Sequence, residues 1–286
     1  MRLELVSIPT DTFALDGLFY EPEGGARAGA VMVLHGNCLN FYSGPPRFLP
    51  PYLVELGYAV LAFNRRGHDV VVTPTARTAS GGAYQTAAEA VADNEYASRW
   101  LRRRGFGAPV VIGHSNGGML SVRHVADNPD TPAMVLLSAH LGGRHIVPKM
   151  CDNGLFALDR LDEYKELAAR MVAEGNGQKL ITLPGWWHVI TANTLLDYAA
   201  ETPDTMELAP KILCPSLYIV GDRERPDIYP AEAFAGKTTG PCKAEIVADC
   251  DHFYTGREEA VSRLLVEWLS ATLGRAPASV RNRRNP

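Results

Sequence analysis

Apolar and polar positions follow two rhythms along this chain. "AGAVMVLHG", "YAVLAFNRRG", "APVVIGHS", "AMVLLSAH" and "PSLYIVGD" each hold a near-continuous apolar run of strand length, as expected of strands covered on both faces. Between them, "YQTAAEAVADNEYASRWLRRRG" and "NGGMLSVRHVADN" place apolar residues at helical intervals. The first of these has acidic residues early, arginines late and a closing glycine, which matches the helix dipole. "LELVSI" and "LDGLFYEP" predict an opening pair of strands, and "RFLPPYLVELG" a helix that restarts after Pro50 and Pro51 and stops at Gly57. So regular an alternation predicts an α/β fold built on a mostly parallel, doubly wound sheet with right-handed crossovers.

The rhythm breaks across 142–210. There "DRLDEYKELAARMVAEG" and "WWHVITANTLLDYAAE" predict helices, with only a weak strand pattern in "KLITL" between them. Strand and helix resume with "KAEIVADCDH" and "REEAVSRLLVEWLSATLG". The expected division is therefore a core of 1–141 and 211–274, a helical lid of 142–210 inserted after the strand that follows the "NGGMLSVRHVADN" helix, and a basic tail over 275–286.

Composition narrows the class. Apolar residues make up 46% and charged residues 21% of 286 positions, ordinary for a soluble globular chain. A net charge of -4 gives no footprint for nucleic acid or an anionic membrane. No signal-like or membrane-spanning stretch is visible, so a cytoplasmic location is expected. The five cysteines form no CxxC pair, which argues against a zinc cage; Cys242 and Cys250 could bridge, but free thiols are expected. No metal or cofactor is called for.

The candidate chemistry centres on "GHSNGG", residues 113–118. Ser115 ends a predicted buried strand and the next residues open a helix, the setting of a nucleophile elbow. Gly113 and Gly117 relieve crowding in that turn, and Gly118 lets the helix approach the sheet. Asn116 opens the helix, so its backbone N–H points to where an oxyanion would form. A serine alcohol needs a neighbouring base. Of eight histidines, His252 follows the last predicted strand on a loop at the carboxyl edge, with His140 as its main competitor. His114 is expected to point away from Ser115, and His35 to support its own loop. The base needs an acid to fix its tautomer. Asp222 directly follows "SLYIVG" at a strand's carboxyl end and is the first choice, with Glu224 in reserve; Asp249 and Asp251 are expected to cap the histidine's own turn.

The order Ser115, Asp222, His252, with "VMVLHGN", "FNRRGHD", "VVIGHSNGG", "YIVGD" and "DHFYTG", resembles the α/β-hydrolase superfamily over almost the whole chain. The resemblance implies the α/β-hydrolase fold and a second oxyanion donor just after "HG": the backbone N–H of Asn37, with Cys38 as the neighbouring alternative. It implies only structural contacts for Arg65, Arg66 and Asp69.

The expected activity is that of a serine carboxylesterase, working through an acyl-enzyme on a small to medium, partly hydrophobic metabolite. Carbon–carbon hydrolysis, thioester hydrolysis and acyl transfer use the same triad, and a ligand receptor with little turnover is the alternative from another class. Because His252 must be neutral to act as base, activity is expected to rise with pH through roughly 6 to 7. Trp186, Trp187, His188 and Phe156 are the candidate substrate contacts, with Leu183, Ile190 and Leu195 nearby; packing of the lid onto the core explains the same residues equally well.

Overall fold

The computed structural model describes residues 1–75, 77–185 and 188–274. Trp186, Trp187 and the basic tail lie outside the described residues. Eight strands form one sheet: β1 (Arg2–Ile8), β2 (Leu15–Glu21), β3 (Ala30–Leu34), β4 (Ala59–Phe63), β5 (Val110–His114), β6 (Met134–Leu137), β7 (Ser216–Gly221) and β8 (Cys242–Val247). Their order is β1-β2-β4-β3-β5-β6-β7-β8. The β1–β2 and β2–β4 pairs are antiparallel; every other neighbouring pair is parallel.

Side-chain alternation along the central strands explains the layering. Met32, Leu34, Leu61, Phe63, Val111 and Leu136 face one core. There they meet Trp100 and Leu101 of α1 (Ala87–Arg103) and Val122 and Val125 of α2 (Asn116–Asp127). Val31, Val33, Val60, Ile112, Val135 and Ile219 face the other, against Leu53 of the helix Pro50–Glu55 and Val261, Leu265 and Leu269 of α5 (Glu258–Leu273). Neighbouring positions thus point to opposite faces, and both faces are buried. Each such aliphatic side chain contributes about 1.5–3 kcal/mol of transfer free energy. The helix α1 starts at a capping box: Glu89 N–H donates to Thr86 Oγ1 at 3.3 Å, and Thr86 N–H donates to Glu89 Oε2 at 2.9 Å.

Between β6 and β7 the chain builds a third apolar cluster around Ile146, Phe156, Ile181, Leu183, Ile190 and Leu195. It holds α3 (Leu161–Ala173) and α4 (Ala192–Glu201), where helices were expected, and a short helix Ile146–Asp152 that the pattern did not predict. One expectation needs correction. The helix expected across "WWHVITANTLLDYAAE" begins only at Ala192, because Val189–Thr191 is a strand. It pairs antiparallel with Leu180–Thr182, the weak "KLITL" strand, as Ile190 lies opposite Ile181.

Register brings the working loops together. Leu34 sits opposite both Phe63 and Gly113, while Leu137 sits opposite His114 and Ile219. The carboxyl ends of β3 to β7 therefore finish nearly level, and the loops that follow them emerge along one rim.

Candidate active site

Ser115 stands at the sharp turn between β5 and α2 with φ 54° and ψ -118°, a left-handed backbone that a serine adopts only under constraint. The neighbouring glycines make room for it. A Cβ on Gly113 would run into the Gly117 carbonyl and the Ser121 hydroxyl, and one on Gly117 into the carbonyl oxygens of His35 and Leu34. A Cβ on Gly118 would come within 2.5 Å of Ala139 Cβ, so helix and sheet are in direct contact there.

The imidazole of His252 lies 3.0 Å from Ser115 Oγ through Nε2 and 2.6 Å from Glu224 Oε1 through Nδ1. With Nδ1–H donating to the carboxylate, Nε2 presents its lone pair to the serine hydroxyl. Glu224 is nearly sealed from solvent, its side chain 3% exposed. Its other oxygen accepts from the Gly221 N–H at 2.8 Å and the Ser138 hydroxyl at 2.6 Å. Ser138 lies in turn 2.7 Å from the Tyr254 hydroxyl. The Glu224 carboxylate is thus fixed by three donors, Ser138, Gly221 and His252.

Asp222, the first choice from sequence, does not reach His252. Its carboxylate is exposed and accepts from the backbone N–H groups of Asp249, at 3.0 Å, and Cys250, at 3.1 Å. Those two bonds hold its pKa below the usual range. It ties down the loop that carries His252, while the turn Gly221–Glu224 swings the longer carboxylate inward. The reserve candidate takes the place. Asp251 behaves as expected, accepting from the N–H groups of Phe253 and Thr255 within the histidine's own turn, each at 3.0 Å.

Other histidines support the frame. His35 donates through Nδ1 to the Gly36 carbonyl at 2.7 Å and accepts through Nε2 from the Arg65 N–H at 3.0 Å. Burial forces its pKa well down, so the ring stays neutral in one tautomer beneath the loop bearing Asn37. His114 donates through Nε2 to the His252 carbonyl at 2.8 Å and fixes the backbone of His252. Arg66 is buried against Asp93, donating from its backbone N–H at 2.7 Å and from Nε at 2.8 Å. Asp69 accepts from Asn40 Nδ2 at 2.9 Å. These are the structural contacts expected of that region.

A cavity of about 280 Å³ opens over Ser115 and His252. Its wall includes Gly36, Asn37, Leu39, His140, Met150, Leu155, Phe156, Tyr198, Tyr229 and Phe253, and among the described residues no Lys, Arg, Asp or Glu. Asn37 reaches the cavity, whereas Cys38, the alternative beside it, is buried where its sulfur abuts Gly82. Asn116 is the first residue of α2, so its N–H has no carbonyl partner within the helix. Tyr198, from α4, has its phenol beside the Asn116 side chain, and burial pushes its pKa up to about 12. The Tyr229 ring lies 5.0 Å from that of His252.

Of the substrate contacts expected from sequence, Phe156 lines this cavity. His188 packs behind it, ring centroids 4.5 Å apart, and burial pushes its pKa down to about 4. Leu183, Ile190 and Leu195 belong to the third apolar cluster, which is their packing role. Tyr198, Tyr229, Met150 and Leu155 were missed; a single tyrosine on a predicted helix carries no local signal that it faces a pocket. All five cysteines are unpaired, including Cys242 and Cys250. Among the described residues no group of three or more His, Cys, Asp or Glu could hold a metal ion, and no helix is long and apolar enough to cross a membrane.

Comparison with known proteins extends this picture. Residues 29–183 match the family model described as alpha/beta hydrolase fold. No curated protein matches the chain. Among solved structures, the ferulic acid complex of Est1E from Butyrivibrio proteoclasticus superposes with a TM-score of 0.71 at 17% identity, covering 94% of this chain and 99% of that one. A monoacylglycerol lipase from Paleococcus ferrophilus gives 0.61 at 19% identity, over 90% and 99% of the two chains. The alpha/beta hydrolase GrgF from Penicillium sp. sh18 gives 0.72 at 12% identity, over 96% and 100%.

Proposed function

Because the chain belongs to the alpha/beta hydrolase family, we propose that it is a serine hydrolase that cleaves a carboxylic ester through an acyl-enzyme. One observation carries this reading: Ser115 Oγ, His252 and Glu224 are joined by contacts of 3.0 and 2.6 Å at the floor of a cavity. In the proposed reaction His252 Nε2 takes the Ser115 proton as Oγ attacks the acyl carbon. The imidazolium that forms is stabilised by Glu224, a carboxylate already oriented by Ser138 and Gly221. The N–H groups of Asn116 and Asn37 hold the oxyanion. His252 then gives the proton to the leaving alcohol, and water repeats the cycle on the acyl group.

The cavity wall supports an uncharged, partly apolar substrate. With no cation among the described residues of the wall, a buried carboxylate would lose its hydration and gain no counter-ion from them. The volume of about 280 Å³ suits a small to medium ester. The monoacylglycerol lipase lends an ester-cleaving precedent on the same fold, and Est1E, also of that fold, binds ferulic acid. The segment 142–210, which supplies Met150, Leu155, Phe156 and Tyr198 to the wall, serves as the lid in this reading.

The test is direct. A fluorophosphonate probe should label the wild type on the peptide containing Ser115, and p-nitrophenyl butyrate should be turned over many times. Ser115→Ala should abolish labelling and lower kcat by about 10⁴-fold or more. Labelling elsewhere, or full activity in Ser115→Ala, would remove the serine from the mechanism.

A further inference from the structure

His140 lies just beyond β6 and forms part of the cavity wall with Ser115 and His252. The residue is 2% exposed. Its Nδ1 lies 3.1 Å from the backbone nitrogen of Gly142. An amide N–H only donates, so Nδ1 must offer its lone pair, and the proton of the neutral ring sits on Nε2. That Nε2–H meets no acceptor among the described residues. Burial, with His252 adding to it, pushes the His140 pKa down to about 3, so the neutral form persists through the working range.

An orphaned buried N–H is rare in folded proteins, because water has been stripped from a donor and nothing given back. A second unpartnered ring nitrogen in the same wall, His114 Nδ1, is a different case. It is a bare lone pair closed over by Gly36, where a Cβ would come within 3.1 Å, and it has no proton to place. Of the two orphaned ring nitrogens in the described wall, His140 Nε2 is the one that carries a proton.

We propose that His140 Nε2–H is a specificity-determining donor that reads an uncharged acceptor oxygen, of the keto, ether or hydroxyl kind, on the substrate held over Ser115. The inference rests on this cavity being the substrate site. A neutral acceptor follows from the wall, whose described residues offer no cation to a carboxylate. An ester with only carbon at that position leaves the N–H unpaired when the cavity fills and water is expelled. Sites built to bond a polar substrate group discriminate against the analogue that lacks it in this way.

Two substitutions separate the donor from the ring's other contact. In His140→Asn the amide oxygen takes the place of Nδ1 and keeps an acceptor for Gly142, but the distal N–H is gone. In His140→Gln an N–H is restored near the position of Nε2. The probes are p-nitrophenyl hexanoate and three ether isosteres in which oxygen replaces carbon 3, 4 or 5. Their binding is measured by calorimetry in the Ser115→Ala background, with thermal melts to verify folding. At least one ether ester should bind about tenfold more tightly than the hexanoate. That preference should fall below about twofold with His140→Asn and return to within about threefold of the parent with His140→Gln. The proposal is overturned if no ether is preferred, if no member of the panel binds, or if the preference survives His140→Asn. Turnover of the same panel by the wild type reads the hydrolase assignment separately. Selective binding without hydrolysis removes that assignment and leaves the donor role of His140 standing.

Discussion

Two carboxylates two positions apart and one methylene different in reach, Asp222 and Glu224, show how much a site depends on single residues. Asp222 holds two backbone N–H groups of the His252 loop, whereas Glu224 holds the imidazole itself. The expected outcome is a split. Glu224→Gln, which keeps the shape but offers the wrong tautomer partner, should lower kcat on p-nitrophenyl butyrate by about 10³–10⁴-fold with KM little changed. Asp222→Asn should change kcat by less than about fivefold and show its effect as a lower Tm, since two charge-assisted bonds become neutral ones. Equal losses of kcat in both variants would contradict the arrangement. That Ser115 and His252 would meet was legible because each follows a strand, and a strand end is visible as the close of an apolar run. The acid was not, because the choice between Asp222 and Glu224 is made by one turn. Gly221 N–H donates to Glu224 Oε2 across three residues, and the partner that completes the choice, Ser138, lies 86 positions away.

At the scale of elements, the buried strands were readable for a physical reason: both faces of each are covered, so polar residues are excluded and the run is continuous. The strand Val189–Thr191 was hidden by its brevity and by running straight into α4, whose apolar spacing absorbs it. The signal that could have divided them is Thr191, whose hydroxyl accepts from the Thr194 N–H at 3.1 Å and so marks a helix start. Caps and turns also predict different kinds of damage. Thr86→Ala breaks the capping box of α1 and should cost about 1 kcal/mol in urea unfolding while leaving kcat unchanged. Gly117→Ala forces a Cβ against the carbonyls of Leu34 and His35, directly under the loop bearing Asn37. It should cost about 3 kcal/mol and reduce kcat as well, because relief of the clash must displace the elbow or that loop. A Gly117→Ala protein with wild-type kcat and Tm would show that α2 does not pack this tightly.

For the molecule as a whole, the neutral histidines set a limit on acid tolerance. Burial lowers the pKa of His35 well below its ordinary value, of His114 and His140 to about 3, and of His188 to about 4. In the unfolded chain each titrates near 6.5. The sign follows from proton counting: between the two values the unfolded state binds protons that the native state refuses, so stability falls as pH falls. The contribution is fully present above about pH 6.5 and is lost progressively toward the folded values. Each histidine contributes a slope of about 1.4 kcal/mol per pH unit once the unfolded form is protonated. Their sum is offset in part by buried Asp93, whose pKa is pushed up to about 6 by desolvation, so that the folded state takes up its proton first below that pH. The carboxylates with depressed pKa values, such as Asp227 at about 2, act only below this window. Urea midpoints should therefore be level from pH 8 to about 7 and fall between about 6.5 and 5. A midpoint that stayed level down to pH 5 would mean that these rings take up protons in the folded state. The interior, including the uncharged wall around His140, would then have to hold water or counter-charges that its contacts do not provide.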